Sequence, residues 1–415
     1  MNNKQLSVII NGEVIGFAIQ DRDGDITFYY KEGASRALSL SLPITADKKR
    51  YKRKACRGYF DGLLPEGVHV REAIARRYGI SANNNFSILR AIGEDCAGAV
   101  SFHQADYETL ETSINPTILA GDALSDDELE KLLSELPSKP LATGLDGNVR
   151  LSLAGAQDKT ALLFIGDKAH KPSQGVPSTH ILKPNIASFE ETVANEYICL
   201  QTAERMGIKV PRVDMKTVGD TPYFRIQRYD RSYSDNQVQR VHQEDFCQAL
   251  NIQCVRKYEK DGGPSFKQCF ELLAHCDSPL TAKLELINRV IFNYLIGNND
   301  AHGKNFSFLY KQAKSIELSP AYDILCTQVY PGISTEMAMR IGKQYMHAQV
   351  RLKDWQLFAK DCHIEFHLLK TTILSQAEQL PETLQNVIES FDNRIGKKIL
   401  DIVHQNIKLV KNELK

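Results

Sequence analysis

The stretch Asn298-Asn299-Asp300-Ala301-His302-Gly303-Lys304-Asn305 constrains the fold more than any other. A long apolar helical pattern, Thr281–Ile296, runs into it. Two strand patterns, Asn305–Tyr310 and Ser315–Leu318, leave it as a hairpin. Asparagine, aspartate and glycine end helices and turn chains, so the sequence asks for a helix, a tight polar loop and a hairpin in succession. Pro320-Ala321-Tyr322-Asp323 then brings a second carboxylate behind the first.

The rest of the chain sorts by hydrophobic period. Leu6–Ile10 and Val14–Phe17 flank Asn11-Gly12, a strong hairpin signal. Asp23-Gly24-Asp25 turns into a strand at Ile26–Tyr30. Leu38, Leu40 and Leu42 alternate with serines, which predicts a half-buried strand. Helical patterns follow at Ala55–Leu64, Val68–Tyr78 and Phe86–Ile92. Tyr107–Asp122 is polar and holds Pro116 and Gly121, as a linker would. Ser125 with Glu128 forms a capping box that opens a helix to Leu136. Val149–Ser152, Ala161–Ile165, Thr179–Lys183 and Tyr223–Arg228 read as strands, with a helix at Glu190–Met206 ending at Gly207. From His242 the patterns are mostly helical, with Pro264–His275, Asp354–Leu369, Thr372–Leu380 and Pro381–Phe391 joining Thr281–Ile296. This predicts an α+β chain with a strand-rich lobe, one crossing strand and a helix-rich lobe. At 415 residues it exceeds one ordinary core.

Charge excludes little but supports no global polyanion binder, since 51 Lys and Arg balance 51 Asp and Glu. No apolar run reaches the length of a membrane span, and Met1–Ile10 lacks the apolar run of a signal peptide. Nine cysteines with no close CxxC pair suit reduced thiols and a cytoplasmic location. Cys269, His275 and Cys276 read as a helix face rather than a metal cluster. The basic run Lys48–Lys54 reads as a solvated loop, with contact to DNA phosphates or an acidic partner as the alternative.

Four residues separate Asp300 from Asn305, the spacing of a protein-kinase catalytic loop. In phosphoryl transfer a carboxylate must hold the acceptor hydroxyl in line with the γ-phosphate. Asp300 is the candidate for that role. Asn305 and Asp323 offer the hard oxygens that Mg²⁺ prefers. His302 and Lys304 stand beside Asp300, where either could neutralise charge on the migrating group. Lys183, at the end of an apolar strand and before Pro184, is placed to reach the α- and β-phosphates of ATP. Glu196 is the candidate to hold it, with Glu190 and Glu191 as rivals. Ser152, Ala154, Gly155, Ala156, Gln157 and Lys159 lie in a small-residue loop that could cover phosphates with backbone N–H groups, though it is not a Walker A sequence. Gln227, Arg228 and Tyr229 stand where the lobes join and could contact adenine.

Taken together these residues resemble the HipA family of bacterial serine/threonine kinase toxins. The resemblance runs through Ser152–Leu163, Asn195-Glu196-Tyr197, His242–Gln248, Lys257–Pro264, Asp300–Ser307 and Pro320–Asp323. It implies a distant protein-kinase-like, bilobal fold of the PI3/4-kinase type. That fold would have an N-terminal α+β subdomain at residues 1–110, the rest of the N-lobe at 111–230 and a helical C-lobe at 231–415. It also implies ATP and Mg²⁺ as cofactors and autophosphorylation at Ser152. A phosphoserine there would add nearly two negative charges beside ATP's own phosphates and lower activity. Its implied partners are a HipB-like DNA-binding antitoxin, operator DNA reached through that complex, and a protein substrate such as an aminoacyl-tRNA synthetase. Gln227 departs from the family pattern, which often has an acidic residue at the hinge. A small-molecule kinase of the aminoglycoside type and a catalytically dead co-repressor are the competing readings.

Overall fold

Asn11 and Gly12 both take the left-handed backbone, with φ of 50° and 83°, and this closes the first hairpin between β1 (Gln5–Ile10) and β2 (Glu13–Gln20). The computed structural model describes residues 4–22, 24–45, 49–104, 122–136, 157–171, 176–234, 237–312, 315–391 and 393–414. The chain divides into two units. The first holds Met1–Pro184, Lys216–Val255 and Phe308–Ser315; the second holds Asn185–Met215, Arg256–Ser307 and Ile316–Lys415.

In the first unit, β3 (Ile26–Tyr30), β4 (Arg50–Tyr51) and β5 (Val100–His103) complete an antiparallel sheet of order β4-β3-β2-β1-β5. Gly16 of β2 is obligatory at its place, because a Cβ there would lie 2.4 Å from the Tyr29 carbonyl oxygen. Helices Arg53–Gly62, Val68–Tyr78 and Asn85–Ile92 accompany this sheet. Phe28, Tyr59, Phe60, Phe86 and Phe102 fill its core.

A second sheet of order β7-β6-β8-β10-β9 is built from β6 (Thr160–Ile165), β7 (Lys168–His170), β8 (His180–Pro184), β9 (Val213–Val218) and β10 (Thr221–Gln227). The helix Asp126–Glu135 carries the expected capping box of Ser125 and Glu128. Leu129, Leu132, Leu133 and Leu136 form one helical face, which shares a core with Leu162, Leu182 and Tyr223.

The segment Leu38–Leu42 is not the expected strand. It is a turn closed by a Ser39–Leu42 bridge. Its polar groups are taken by side chains instead of a neighbouring strand: Ser39 Oγ and the Leu40 amide donate to Glu244, and Ser41 Oγ donates to the Gln248 carbonyl. The chain after His242 also departs from a helical start, since β11 (His242–Asp245) is a strand neighbouring β12 (Ser307–Gln312).

The second unit is mostly helical, with the helices Thr192–Arg205, Phe266–Leu272, Pro279–Ile296, Leu352–Asp361, Phe366–Ile388 and Ile395–Leu414. It is not helical throughout, because Glu336–Ile341 and Gln344–Met346 pair as a hairpin that the hydrophobic pattern did not reveal. The expected helix Asp354–Leu369 is broken after Asp361, and His363 takes φ of 51°. Conversely, one helix runs through Pro381. Proline removes a helix hydrogen bond at a cost of about 3 kcal/mol. Here Ile373, Ala377, Leu380, Leu384 and Val387 continue one buried stripe across it, and burying such side chains at roughly 1.5–3 kcal/mol each outweighs that loss. Among the described residues no helix is long and apolar enough to cross a membrane.

Candidate active site

The helix Pro279–Ile296 ends because Gly297 adopts the left-handed C-cap (φ 81°), where its amide bonds the Asn293 and Tyr294 carbonyls. A chain of amides then fixes the next residues. Asn293 Nδ2 donates to the Arg289 carbonyl, Asn298 Nδ2 donates to Asn293 Oδ1, and the Asp300 amide donates to Asn298 Oδ1 at 3.1 Å. Asn299 is held on all four of its polar groups. Its amide donates to Thr327 Oγ1, Nδ2 donates to the Ser334 carbonyl, Oδ1 accepts from Gln328 Nε2, and the carbonyl accepts from the Ala338 amide. The loop is thus rigid up to the residue that carries the candidate carboxylate.

Asp300 itself remains half exposed, with 46% of its side-chain surface open. Its Oδ1 accepts from the Tyr258 hydroxyl at 2.7 Å. Asn305 folds back on the loop, with Nδ2 donating to the Asp300 carbonyl at 3.0 Å. This bond occupies the amide nitrogen and presents the amide oxygen, the atom suited to a hard cation. Asp323 stands in the left-handed region (φ 58°). Aspartate tolerates that conformation better than most residues, and such backbone outliers cluster at functional sites. A neutral amide oxygen and a carboxylate oxygen are donors that fit Mg²⁺, which keeps water and phosphate oxygens as its other ligands. No cluster of three or more His, Cys, Asp or Glu side chains suited to a metal occurs among the described residues. All nine cysteines are free thiols.

His302 does not serve as a source of positive charge. Burial pushes its imidazole down to about 3, Lys257 and Lys304 add to this, and Asp323 opposes it. The ring is neutral at physiological pH and lies edge-on to Tyr258, with centroids 5.5 Å apart. Lys304 is buried, and its carbonyl accepts from the Tyr322 hydroxyl at 2.7 Å. It remains the cationic candidate in this loop.

In the first unit, Lys183 is buried near the end of β8, opposite Phe224 of β10. Gln157 and Lys159 are half-buried just before β6. Ser152, Ala154, Gly155 and Ala156 lie outside the described residues. Gln227 pairs in register with His180 at the end of β10. The Arg228 amide and guanidinium are both engaged within this unit. Its amide donates to the Thr179 carbonyl, and its guanidinium is buried against Asp230, Ser178 Oγ and the Cys96 carbonyl. Arg231, Arg240 and Asp95 join the same cluster. Burial alone would raise the Asp95 carboxyl, but Arg231, Arg228 and Arg240 more than offset this and hold it well below the usual range. Tyr229 is half-buried, and its hydroxyl donates to Gln243 Oε1.

The carboxylates weighed as partners of Lys183 also separate. Glu190 pairs with Lys398 at 2.5 Å. Glu191 accepts from the Arg394 and Ile395 amides at the start of the last helix. Glu196 is buried on the helix Thr192–Arg205 and remains the candidate. Sequence reasoning missed Tyr258 as a site residue, although it lies inside the Lys257–Pro264 motif. It also missed Gln328, which gave no pattern signal.

Residues 6–103 match the HipA N-terminal domain family, and residues 151–395 match the HipA-like C-terminal domain family. This chain belongs to the HipA family. The serine/threonine-protein kinase toxin HipA of Shewanella oneidensis is 30% identical over 373 residues, spanning 87% of this chain and 83% of that protein. A protein of Sinorhizobium fredii named "Putative kinase Y4mE" is 39% identical, spanning 94% of this chain and 93% of its own. Among solved structures, the HipA, HipB and operator DNA complex of the Shewanella oneidensis toxin–antitoxin system matches this HipA-family protein with a TM-score of 0.83. The match has 25% identity and covers 99% of this chain and 97% of that one.

Proposed function

We propose that this HipA-family protein is an ATP- and Mg²⁺-dependent serine/threonine protein kinase that acts as a growth-inhibiting toxin. The observation that carries the reading is the loop Asp300–Asn305. It holds a half-exposed carboxylate on a rigid amide framework, and the amide oxygen of Asn305 is left for a cation. Asp300 takes the acceptor hydroxyl's hydrogen bond and holds its oxygen in line for attack, which is most of what a loose phosphoryl transition state requires of a protein. Asn305 and Asp323 would hold the metal. Lys183 binds the α- and β-phosphates, with Gln157 and Lys159 at the phosphate loop, and Lys304 offsets the migrating charge. Gln227 and Tyr229 border the adenine. Bound Mg-ATP supplies the γ-phosphoryl group and the charge that offsets its negative oxygens.

Ser152 is the proposed autophosphorylation site and off-switch. A HipB-like antitoxin with operator DNA is the proposed regulatory partner, and a translation component such as an aminoacyl-tRNA synthetase the proposed substrate. The solved HipA, HipB and operator DNA complex of Shewanella oneidensis supports the antitoxin. The decisive experiment is labelling of the purified chain with Mg²⁺ and γ-labelled ATP. The wild type incorporates label, and Asp300→Asn does not while keeping its melting temperature. Equal label in both means that Asp300 is misassigned.

A further inference from the structure

The motif Lys257-Tyr258-Glu259-Lys260-Asp261-Gly262-Gly263-Pro264 has no task in the mechanism above, and the geometry points to one. We propose that this loop exists to deliver the Tyr258 hydroxyl to Asp300, and that Tyr258 is a positioning residue for the acceptor-binding carboxylate. The inference rests on the reading of Asp300 given above. The loop is wound tightly around the tyrosine's own carbonyl, which accepts from the amides of Asp261 at 3.0 Å and Gly263 at 2.8 Å. Both glycines are required for this path. Gly262 has φ of 89°, and a Cβ on Gly263 would lie 2.3 Å from the Arg256 carbonyl oxygen and 2.6 Å from that of Tyr258.

The loop is also pinned from outside. Glu259 accepts from the Arg340 amide and pairs with its guanidinium at 2.9 Å, and Lys260 pairs with Glu336 at 2.8 Å. Both partners lie on the strand Glu336–Ile341. That strand neighbours the loop's clamp, since the Ala338 amide donates to the Asn299 carbonyl. One strand therefore fixes both the backbone before Asp300 and the loop that carries Tyr258. At the end of this construction the phenol donates to Asp300 Oδ1 at 2.7 Å, while its ring rests edge-on against His302. The phenol's bond to Oδ1 restrains the carboxylate that orients the acceptor hydroxyl.

Tyr258→Phe keeps the ring and its packing and removes only the hydroxyl. Wild type, Tyr258→Phe and Asp300→Asn are compared as full chains by single-turnover autophosphorylation with saturating Mg²⁺ and labelled ATP. Binding of a fluorescent ATP analogue and melting temperature are measured alongside. The expected result is a transfer rate about tenfold lower in Tyr258→Phe, the lower end of what a hydrogen bond to a charged group is worth, with nucleotide affinity and melting temperature unchanged. A wild-type rate in Tyr258→Phe beside an inactive Asp300→Asn overturns the positioning role alone. A rate loss matched by losses of nucleotide affinity and melting temperature also overturns it, since the tyrosine then serves only packing. Full activity in Asp300→Asn overturns the reading of the site and this inference with it.

Discussion

Replacing Glu244 by glutamine isolates a conflict between burial and hydrogen bonding in the first unit. The carboxylate is fully buried, and Ser39 Oγ, the Leu40 amide and the Tyr310 hydroxyl all donate to it. Burial is the largest influence and raises its pKa, the three donors lower it, and nearby Asp245 raises it again, leaving it at about 7 against an ordinary 4.5. Between these values the folded chain holds a proton that the unfolded chain has lost. The stability from this group is therefore fully present below about 4.5 and is lost as pH rises through about 7. At 1.36 kcal/mol per pKa unit, the loss from pH 5 to pH 8 is about 2–3 kcal/mol. The neutral histidines His242 and His347, each pushed by burial to about 4, have the opposite slope, gaining stability as pH rises through their range. They are common to both proteins and cancel in the difference. Urea unfolding followed by far-UV circular dichroism at pH 5, 6, 7 and 8 gives the test. Glu244→Gln is expected to match the wild type most closely at pH 5 and to gain on it by about 2–3 kcal/mol by pH 8. Parallel stability profiles would refute the reasoning, because they would mean that three donors suffice to keep a buried carboxylate ionised.

Removing Asp95 in Asp95→Ala leaves Arg228, Arg231 and Arg240 with Asp230 as the carboxylate of their cluster, and a loss of about 3–5 kcal/mol is expected in urea unfolding; a loss under about 1 kcal/mol would show that water reaches these guanidiniums. Ser125→Ala removes the hydroxyl half of the capping box on an exposed helix start and keeps the bond from the backbone amide at 125 to Glu128. It should weaken hydrogen-exchange protection across Asp126–Glu135 by about 1 kcal/mol, with no change elsewhere.

Local signals in the sequence located most elements where a single residue type decides the geometry. Asn11-Gly12 closed its hairpin, Ser125 and Glu128 capped their helix, and Gly207 and Gly297 lie just past theirs with positive φ. The misplaced elements are those where distant contacts overrule local pattern. Leu38–Leu42 alternates like a strand, yet its serines and amides bond Glu244 and Gln248, some two hundred positions away. Pro381 reads as a helix start, yet the buried stripe from Ile373 to Val387 carries one helix through it.

The candidate site divides the same way, between what chemistry demands and what holds it. Asp300, Asn305 and Asp323 could be proposed from the sequence because a phosphoryl-transfer reading asks for those residue types in that order, whatever surrounds them. The supports were not, since an amide or a phenol that serves a site looks like any other in the sequence. Gln328 is the clearest case. Its Nε2 donates to Asn299 Oδ1 at 3.2 Å and contacts His347 Nδ1 at 2.9 Å, while Oε1 accepts from Asn406 Nδ2 at 3.1 Å. Because Nε2 can only donate, His347 Nδ1 must accept, which places that ring's proton on Nε2. The last helix, through Asn406, and the segment after Asp323, through Gln328, thus share one amide with the residue before Asp300. No period or motif could announce this arrangement, because its members lie at positions 299, 328, 347 and 406 and only the fold makes them neighbours.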